Sequence, residues 1–110
     1  MDMKEVLDFI EKVDKFFLDQ YPDLPGKERL YARMIKLSEE VGELADEVLS
    51  SQSDQRREKL DRKEKDALPD EIADVIITTL MLARSLDVDV ERALKRKIDK
   101  IRERMFAGDM

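Results

Sequence analysis

Cysteine and histidine are both absent from this chain of 110 residues. Without them no disulfide, no thiolate nucleophile and no Ser-His-Asp triad can form, and zinc sites built from Cys or His are excluded. Only three glycines are present, and neither a dinucleotide-binding fingerprint nor a phosphate-binding loop occurs. Any chemistry must therefore rest on carboxylates, lysines, arginines and hydroxyl groups. Oxygen-only ligand sets of this kind favour Mg²⁺, Mn²⁺ or Ca²⁺.

Long hydrophobic runs are also missing. The longest stretch without a charged residue runs from Val75 to Ala83, far short of the roughly 18 apolar residues that a membrane helix needs. The first residues, Met1 to Lys4, lack the pattern of a signal peptide, so we expect a cytoplasmic protein with no membrane partner. The net charge of −6 argues against binding to long nucleic acids.

Charged residues of both signs are abundant and together make up 44% of the chain, whereas hydrophobic residues make up 42%. A chain of this length supports one domain, here residues 1–110, and interspersed charges are typical of exposed helix surfaces. Apolar residues recur at three- and four-residue steps, which indicates helices throughout. The pattern predicts an all-α fold, a four-helix bundle-type domain, with helices at about Met3 to Gln20, Lys27 to Ser50, Pro69 to Leu86 and Val90 to Met105.

The connections between these helices follow from residue type. The segment from Tyr21 to Gly26 ends the first helix, because its prolines cannot continue the hydrogen-bond ladder and its glycine permits a turn. Either Asp87 or Asp89 is expected to cap the start of the fourth helix. The polar segment from Ser50 to Lys65 is expected to be exposed, either as a loop or as a helix.

The third helix carries the most informative pattern. From Ile72 to Ala83 it contains a single charged residue, Asp74, and a helix that is apolar nearly all round is expected to be buried on most sides. Glu71 and Asp74 lie on one narrow stripe of this helix. A buried charge is unfavourable unless a lysine, an arginine, an altered pKa or a metal cation compensates it.

The second helix offers a matching pair of acids, Glu40 and Glu43, which are also three residues apart. Taken alone, this pair fits a solvent-exposed charged face equally well. If the two helices pack antiparallel, however, four carboxylates converge and repel one another unless a divalent cation lies between them. Mg²⁺ takes oxygen ligands in octahedral geometry and binds phosphate oxygens. This arrangement would support hydrolysis of phosphoanhydride bonds.

The segments around these acids resemble a known family. Lys36 to Leu44, KLSEEVGEL, is similar to the first motif of MazG-like nucleotide pyrophosphohydrolases, and Asp70 to Ile76, DEIADVI, is similar to the second. The resemblance covers roughly Leu30 to Arg104. It implies an all-α homo-oligomer, dimeric or tetrameric, that uses Mg²⁺, or Mn²⁺ as a substitute. It also implies cleavage of nucleoside triphosphates between the α- and β-phosphates, as house-cleaning of noncanonical or surplus nucleotides.

The resemblance implies roles for individual residues by their position. The implied metal ligands are Glu40, Glu43, Glu71 and Asp74. Glu39 would activate the attacking water, and the implied phosphate contacts are Lys36, Lys97, Lys100 and Arg104. Where family members often carry asparagine after the second lysine of the last motif, this chain has Ile101, a difference that concerns nucleoside recognition more than metal binding. The aromatic residues that could stack on a base, or pack in the core instead, are Phe16, Phe17, Tyr21 and Tyr31.

Two other functions remain open. One is phosphoribosyl-ATP pyrophosphohydrolase, from the same superfamily. The other is a non-catalytic helical dimer that serves as an interaction or regulatory module, with lysines and arginines rather than metal stabilising the acids. An oligomer is expected on physical grounds too, because the third helix is apolar on too many sides for one thin layer of helices.

Overall fold

The computed structural model describes residues 1–52 and 66–107, and in these ranges it contains four α-helices and no strand. The all-α prediction is confirmed, and each predicted helix lies within a few residues of its observed bounds. The segment from Ser50 to Lys65 was predicted to be exposed, but Ser50 lies in the last turn of α2 and is only 2% exposed, so the prediction is wrong there. Residues 53–65 of this segment lie outside the described residues. The helices are α1 (Met3–Gln20), α2 (Gly26–Ser51), α3 (Ala67–Ser85) and α4 (Val90–Phe106).

The turn between α3 and α4 uses its two aspartates in different ways. Asp89 caps α4, because its Oδ1 accepts a hydrogen bond from the backbone N–H of Arg92 at 3.0 Å. Asp87 has a φ of 53°, in the left-handed region, and the backbone N–H of Val88 donates to the carbonyl of Ala83 at 3.0 Å. Asp87 thus ends α3 in the position where glycine is commonest, rather than capping α4.

The most extensive packing joins α2 and α3, which run antiparallel. Arg33, near the start of α2, contacts Met81 and Ser85 near the end of α3, whereas Glu40, further along α2, lies beside Glu71 near the start of α3. This order of contacts requires that α2 and α3 run in opposite directions. The antiparallel arrangement is therefore the one that brings the two acidic motifs to the same level of the bundle.

A small apolar core lies between α1 and the second half of α3. It consists of Ile10, which is 2% exposed, with Leu80 and Met81. Around it pack apolar residues of α1 and the first residue of α4, namely Val6, Leu7, Val13 and Val90. The core anchors α1 on α3.

The prediction that α3 is buried on most sides is wrong for the single chain. Ile72 and Ile76 are 45% and 54% exposed, because α1 and α2 cover only part of the circumference of α3. The apolar stripe of α4 is largely exposed as well; its members are Leu94, Ile98, Ile101 and Met105. No helix in the described part of the chain combines the length and apolar character needed to cross a membrane.

Candidate metal centre

Three of the four predicted metal ligands come together where α2 faces α3. Glu40, Glu43 and Glu71 each place one carboxylate oxygen within 4.8 Å of the other two. Glu40 is only 6% exposed, Glu71 is half-buried, and Glu43 lies at the exposed edge. We call this group the carboxylate cluster. Its members repel one another electrostatically, and the buried position of Glu40 strengthens that repulsion.

Lys36 supplies part of the compensating charge. It lies one turn before Glu40 on α2, and its Nζ is 3.0 Å from Glu40 Oε1 and 4.0 Å from Glu39 Oε2. The hydrogen bond from this ammonium group lowers the pKa of Glu40, and the Glu40 carboxylate in turn raises the pKa of Lys36. Glu39 itself is exposed and does not belong to the cluster. One lysine cannot neutralise three carboxylates.

The remaining charge is left without a partner. Glu40 Oε2 and Glu71 Oε2 are both buried and have no hydrogen-bond partner among the described residues. Burial, together with the neighbouring carboxylates of Glu40 and Glu43, raises the pKa of Glu71 to about 7. A buried oxygen without a partner is unfavourable, so a proton on Glu71 or a cation between the carboxylates would stabilise this arrangement.

These residues fit a divalent metal ion. The cluster provides hard oxygen donors from two helices, two of its buried oxygens have no competing hydrogen bond within the described ranges, and the chain contains no imidazole or thiol. Mg²⁺ and Mn²⁺ prefer such donor sets. The structure therefore supports a metal site at the carboxylate cluster without distinguishing between these ions.

The fourth predicted ligand, Asp74, lies apart from this group. It follows Glu71 by three residues on α3, it is exposed, and its carboxylate is not among the three that converge. Its backbone carbonyl accepts a hydrogen bond from Thr78 Oγ1 at 2.6 Å. Its role as a ligand stays a prediction.

The predicted phosphate-binding residues of α4 are exposed. Within the described ranges, none of them forms an ion pair with the cluster or with any other acid. Their roles in substrate binding also stay predictions. These residues are Lys97, Lys100 and Arg104.

A buried ion pair that the sequence patterns did not predict joins all three packed helices. Arg33 Nη2 lies 2.7 Å from Asp14 Oδ1, and the two side chains are only 10% and 14% exposed. Arg33 also donates to Ser85 Oγ and to the carbonyl of Met81. Arg84 Nε approaches the other oxygen of Asp14 at 3.4 Å. This network fixes α1 and α2 against the end of α3.

A signal for this ion pair was present in the sequence. Asp14 follows the core residue Ile10 by four positions, and Arg33 follows Leu30 by three, so each charge lies on the apolar stripe of its helix. Opposite charges at inward positions of two helices are the signal that could have identified a buried pair, although no such pair was predicted from it. The pair lies one turn of α2 before Lys36, the residue that contacts the carboxylate cluster.

Comparison with known proteins agrees with this geometry. Residues 33–108 match the MazG-like family. The chain is 33% identical over 104 residues to a protein of Bacillus subtilis (strain 168) described as uncharacterized protein YpjD, a match that covers 94% of this chain and 89% of that protein. No solved structure matches the chain. Since the matched segment contains all three residues of the carboxylate cluster and covers well over half of the sequence, the chain belongs to the MazG-like family.

Proposed function

We propose that this protein is a Mg²⁺-dependent nucleoside triphosphate pyrophosphohydrolase, which cleaves between the α- and β-phosphates and releases a nucleoside monophosphate and pyrophosphate. The observation that carries the proposal is the pair Glu40 and Glu71, which face each other across two helices with a buried, unpartnered oxygen each among the described residues. Membership of the MazG-like family supports it, because the motifs resemble those of nucleotide pyrophosphohydrolases. The corresponding cellular role is removal of noncanonical or surplus nucleotides.

In this proposal Glu40, Glu43 and Glu71 hold the ion, with Asp74 as a fourth ligand. A bound Mg²⁺ would act as a Lewis acid that neutralises charge on the phosphate oxygens. Water attacks either the α- or the β-phosphorus. The bond between the attacked phosphorus and the oxygen that bridges the two phosphates breaks, and the bridging oxygen leaves with the electron pair. The exposed carboxylate of Glu39, beside the cluster, accepts the proton of the attacking water.

Lys36 is well placed to contact a phosphate group. Its side chain is more than half exposed, and its ammonium group already lies at the edge of the carboxylate cluster, 3.0 Å from Glu40. Lysine carries a compact charge on a flexible stem, so a small rotation would bring the same group to a phosphate oxygen. Lys97, Lys100 and Arg104 on α4 are proposed as additional phosphate contacts.

We also propose that the protein works as a homo-oligomer, a dimer or tetramer. Apolar side chains on α3 and α4 remain exposed in the single chain, among them Ile72, Ile76 and Ile98. Exposed apolar patches of this kind mark association surfaces, and a two-fold dimer is the commonest closed assembly. A second copy would bury the side of α3 that α1 and α2 leave open.

One observation favours a different function, a non-catalytic helical module. The ion pair between Lys36 and Glu40 already compensates one carboxylate without a metal. If a proton on Glu71 compensates the second, the cluster is stable as an internal network at neutral pH. This alternative predicts that divalent cations leave the stability of the protein unchanged.

Thermal unfolding in the presence of Mg²⁺ or Mn²⁺ separates the two functions. An ion that binds only the folded state at 100 times its Kd stabilises that state by about 2.7 kcal/mol, so the midpoint should rise with ion concentration. Glu71→Gln should abolish the rise, while Glu28→Gln, the same change at an exposed position in the first turn of α2, should keep it. Unfolding is measured at constant protein concentration and matched ionic strength. No rise with either ion would favour the non-catalytic module.

The activity itself is tested by release of pyrophosphate from a panel of ribo- and deoxyribonucleoside triphosphates with Mg²⁺. We expect Glu71→Gln and Asp74→Asn to abolish release while circular dichroism shows that the helices persist. Glu28→Gln serves again as the control and should hydrolyse at the parent rate. Parent-level hydrolysis by Glu71→Gln or Asp74→Asn would contradict the metal assignment of that residue.

A further inference from the structure

An apolar cavity of about 440 Å³ lies between α1, α2 and α3, next to the carboxylate cluster. Its volume falls within the range of small-molecule sites, roughly 300–1,000 Å³. Its walls come from all three helices and from the turn that joins α1 to α2. Among the wall residues are Phe17, Tyr21, Ala32, Lys36, Ile77 and Thr78.

The cavity and the cluster share a residue. Lys36 lines the cavity, and the same side chain makes the 3.0 Å ion pair with Glu40. Along α2, Lys36 precedes Glu40 by four residues and Ala32 precedes it by eight, which places the cavity roughly 6–12 Å from Glu40 along the helix axis. A ligand that spans both sites must therefore have an anionic end at the cluster and an apolar end one or two helical turns away.

The charged side chains around the cavity also favour a ligand with an anionic end and an apolar end. Every charged side chain that lines it within the described residues is cationic, namely Arg29, Arg33 and Lys36. Arg33 is held by Asp14, and Arg29 donates to the backbone carbonyl of Tyr21 at 3.0 Å. Lys36 contacts the cluster. The cations thus lie around an apolar space whose walls include the aromatic rings of Phe17 and Tyr21.

We propose that this cavity holds the nucleoside of the substrate, with the base against Phe17 and Tyr21 and the phosphates directed past Lys36 to the carboxylate cluster. The proposal rests on the proposed function and names its nucleoside-binding site. Bases stack on aromatic side chains whatever their identity, because every base presents a π-face.

The same walls predict weak discrimination between bases. Apart from Tyr21, Thr78 is the one hydroxyl residue among the described wall residues, and its Oγ1 already donates to the backbone carbonyl of Asp74. The cationic donors of the walls are also engaged, since Arg29 donates to a backbone carbonyl and Arg33 and Lys36 form ion pairs with acids. Pockets that recognise a ligand by shape alone discriminate by roughly 10–200-fold, whereas pockets with dedicated hydrogen bonds reach about 10⁴-fold or more. We therefore expect the kcat/KM values for the common bases to differ by less than about 100-fold.

Binding without metal tests the cavity directly. The protein in EDTA is titrated with nucleoside 5′-monophosphates and with ribose 5-phosphate, which carries the same anion without a base, and binding is followed by calorimetry or ligand-observed NMR. We expect the monophosphates to bind at least about tenfold more tightly than ribose 5-phosphate, because only they fill the cavity. Equal affinity would overturn the proposal. If neither anion binds, the titration is repeated with uncharged nucleosides, which the metal-free carboxylates do not repel, and absence of binding there would overturn the proposal as well.

Two alanine variants of α2 complete the test. Ala32→Leu fills the cavity from an exposed position and should weaken monophosphate binding by about tenfold or more. Ala45→Leu, the same change at an exposed alanine of α2 outside the cavity, should not. Both variants should keep the Mg²⁺-dependent rise in thermal stability. Unchanged monophosphate binding in Ala32→Leu would refute the assignment.

Kinetics separates this proposal from the proposed function. If triphosphates are hydrolysed and Ala32→Leu leaves KM unchanged, the cavity assignment fails and the hydrolase assignment stands. If Ala32→Leu weakens monophosphate binding but the parent protein hydrolyses no triphosphate, the cavity assignment stands and the hydrolase assignment fails.

Discussion

The buried ion pair between Arg33 and Asp14 allows a prediction with a definite magnitude. Their side chains are 10% and 14% exposed, and Arg33 Nη2 lies 2.7 Å from Asp14 Oδ1. Removing one member of a buried pair costs about 3–5 kcal/mol, because the remaining charge stays buried without a compensating partner. After Arg33→Met, Arg84 still faces Asp14 at 3.4 Å, but Arg84 is 46% exposed and adds at most about 1 kcal/mol. We therefore expect Arg33→Met to cost about 3 kcal/mol, at the low end of that range.

The partner substitution and the double variant sharpen this prediction. Asp14→Leu leaves the guanidinium of Arg33 with only Ser85 and the carbonyl of Met81 as acceptors among the described residues, so its cost should be similar or larger. In the double variant neither charge of the pair remains, and apolar replacements of buried ion pairs are often nearly neutral. The double variant should therefore be more stable than either single variant.

The assay is urea and thermal unfolding followed by circular dichroism at constant protein concentration. A loss of about 3 kcal/mol in a domain of this size lowers the midpoint temperature by about 12–24 °C. Lys95→Met is the matched control, because Lys95 and Asp99 form an exposed ion pair whose loss should cost less than about 0.5 kcal/mol. A cost below about 1 kcal/mol for Arg33→Met, or a double variant as unstable as the two single changes combined, would refute the reasoning.

Three further predictions concern the cluster, a turn and the exposed face. The folded-state pKa of Glu71, about 7, exceeds its unfolded value of 4.5, so the metal-free protein should lose stability as pH rises through that interval. Glu71→Gln should reduce this loss, which is measured by comparing urea midpoints at pH 5 and pH 8. At the left-handed position ending α3, Asp87→Gly should stabilise the protein by about 0.5–1 kcal/mol and Asp87→Val should destabilise it, as equilibrium unfolding would show. Ile98→Glu should reduce self-association, measured by sedimentation velocity; unchanged sedimentation would place the contact surface elsewhere.

Features that depend on one helix were predicted well. The apolar spacing predicted all four helices of the described ranges, and Asp89 was one of two predicted caps for α4. These features follow from contacts between residues three or four apart, which helix geometry alone sets. The burial of α3 was predicted wrongly, because the apolar surface of a helix indicates that a partner must cover it but not whether the same chain supplies that partner.

Features that depend on two helices were predicted only in part. The sequence indicated acids on both α2 and α3, yet which carboxylates converge depends on how each helix is rotated about its axis. The rotation in the structure brings Glu43 beside Glu71 and leaves Asp74 exposed. The ion pair between Asp14 and Arg33 was not predicted, because its formation depends on the place where α1 crosses α2 and α3.

The sequence by itself determined the helical fold, the two acidic motifs, the absence of thiol and imidazole chemistry and the resemblance to the MazG-like family, because all of these are properties of residue type and of spacing along one helix. Only the tertiary structure decided that Glu40 is the buried member of the cluster, that Lys36 links the cluster to a cavity, and that Arg33 is held by Asp14. Each of these depends on the rotation and separation of helices whose residues are far apart in the chain, and packing between side chains sets those quantities.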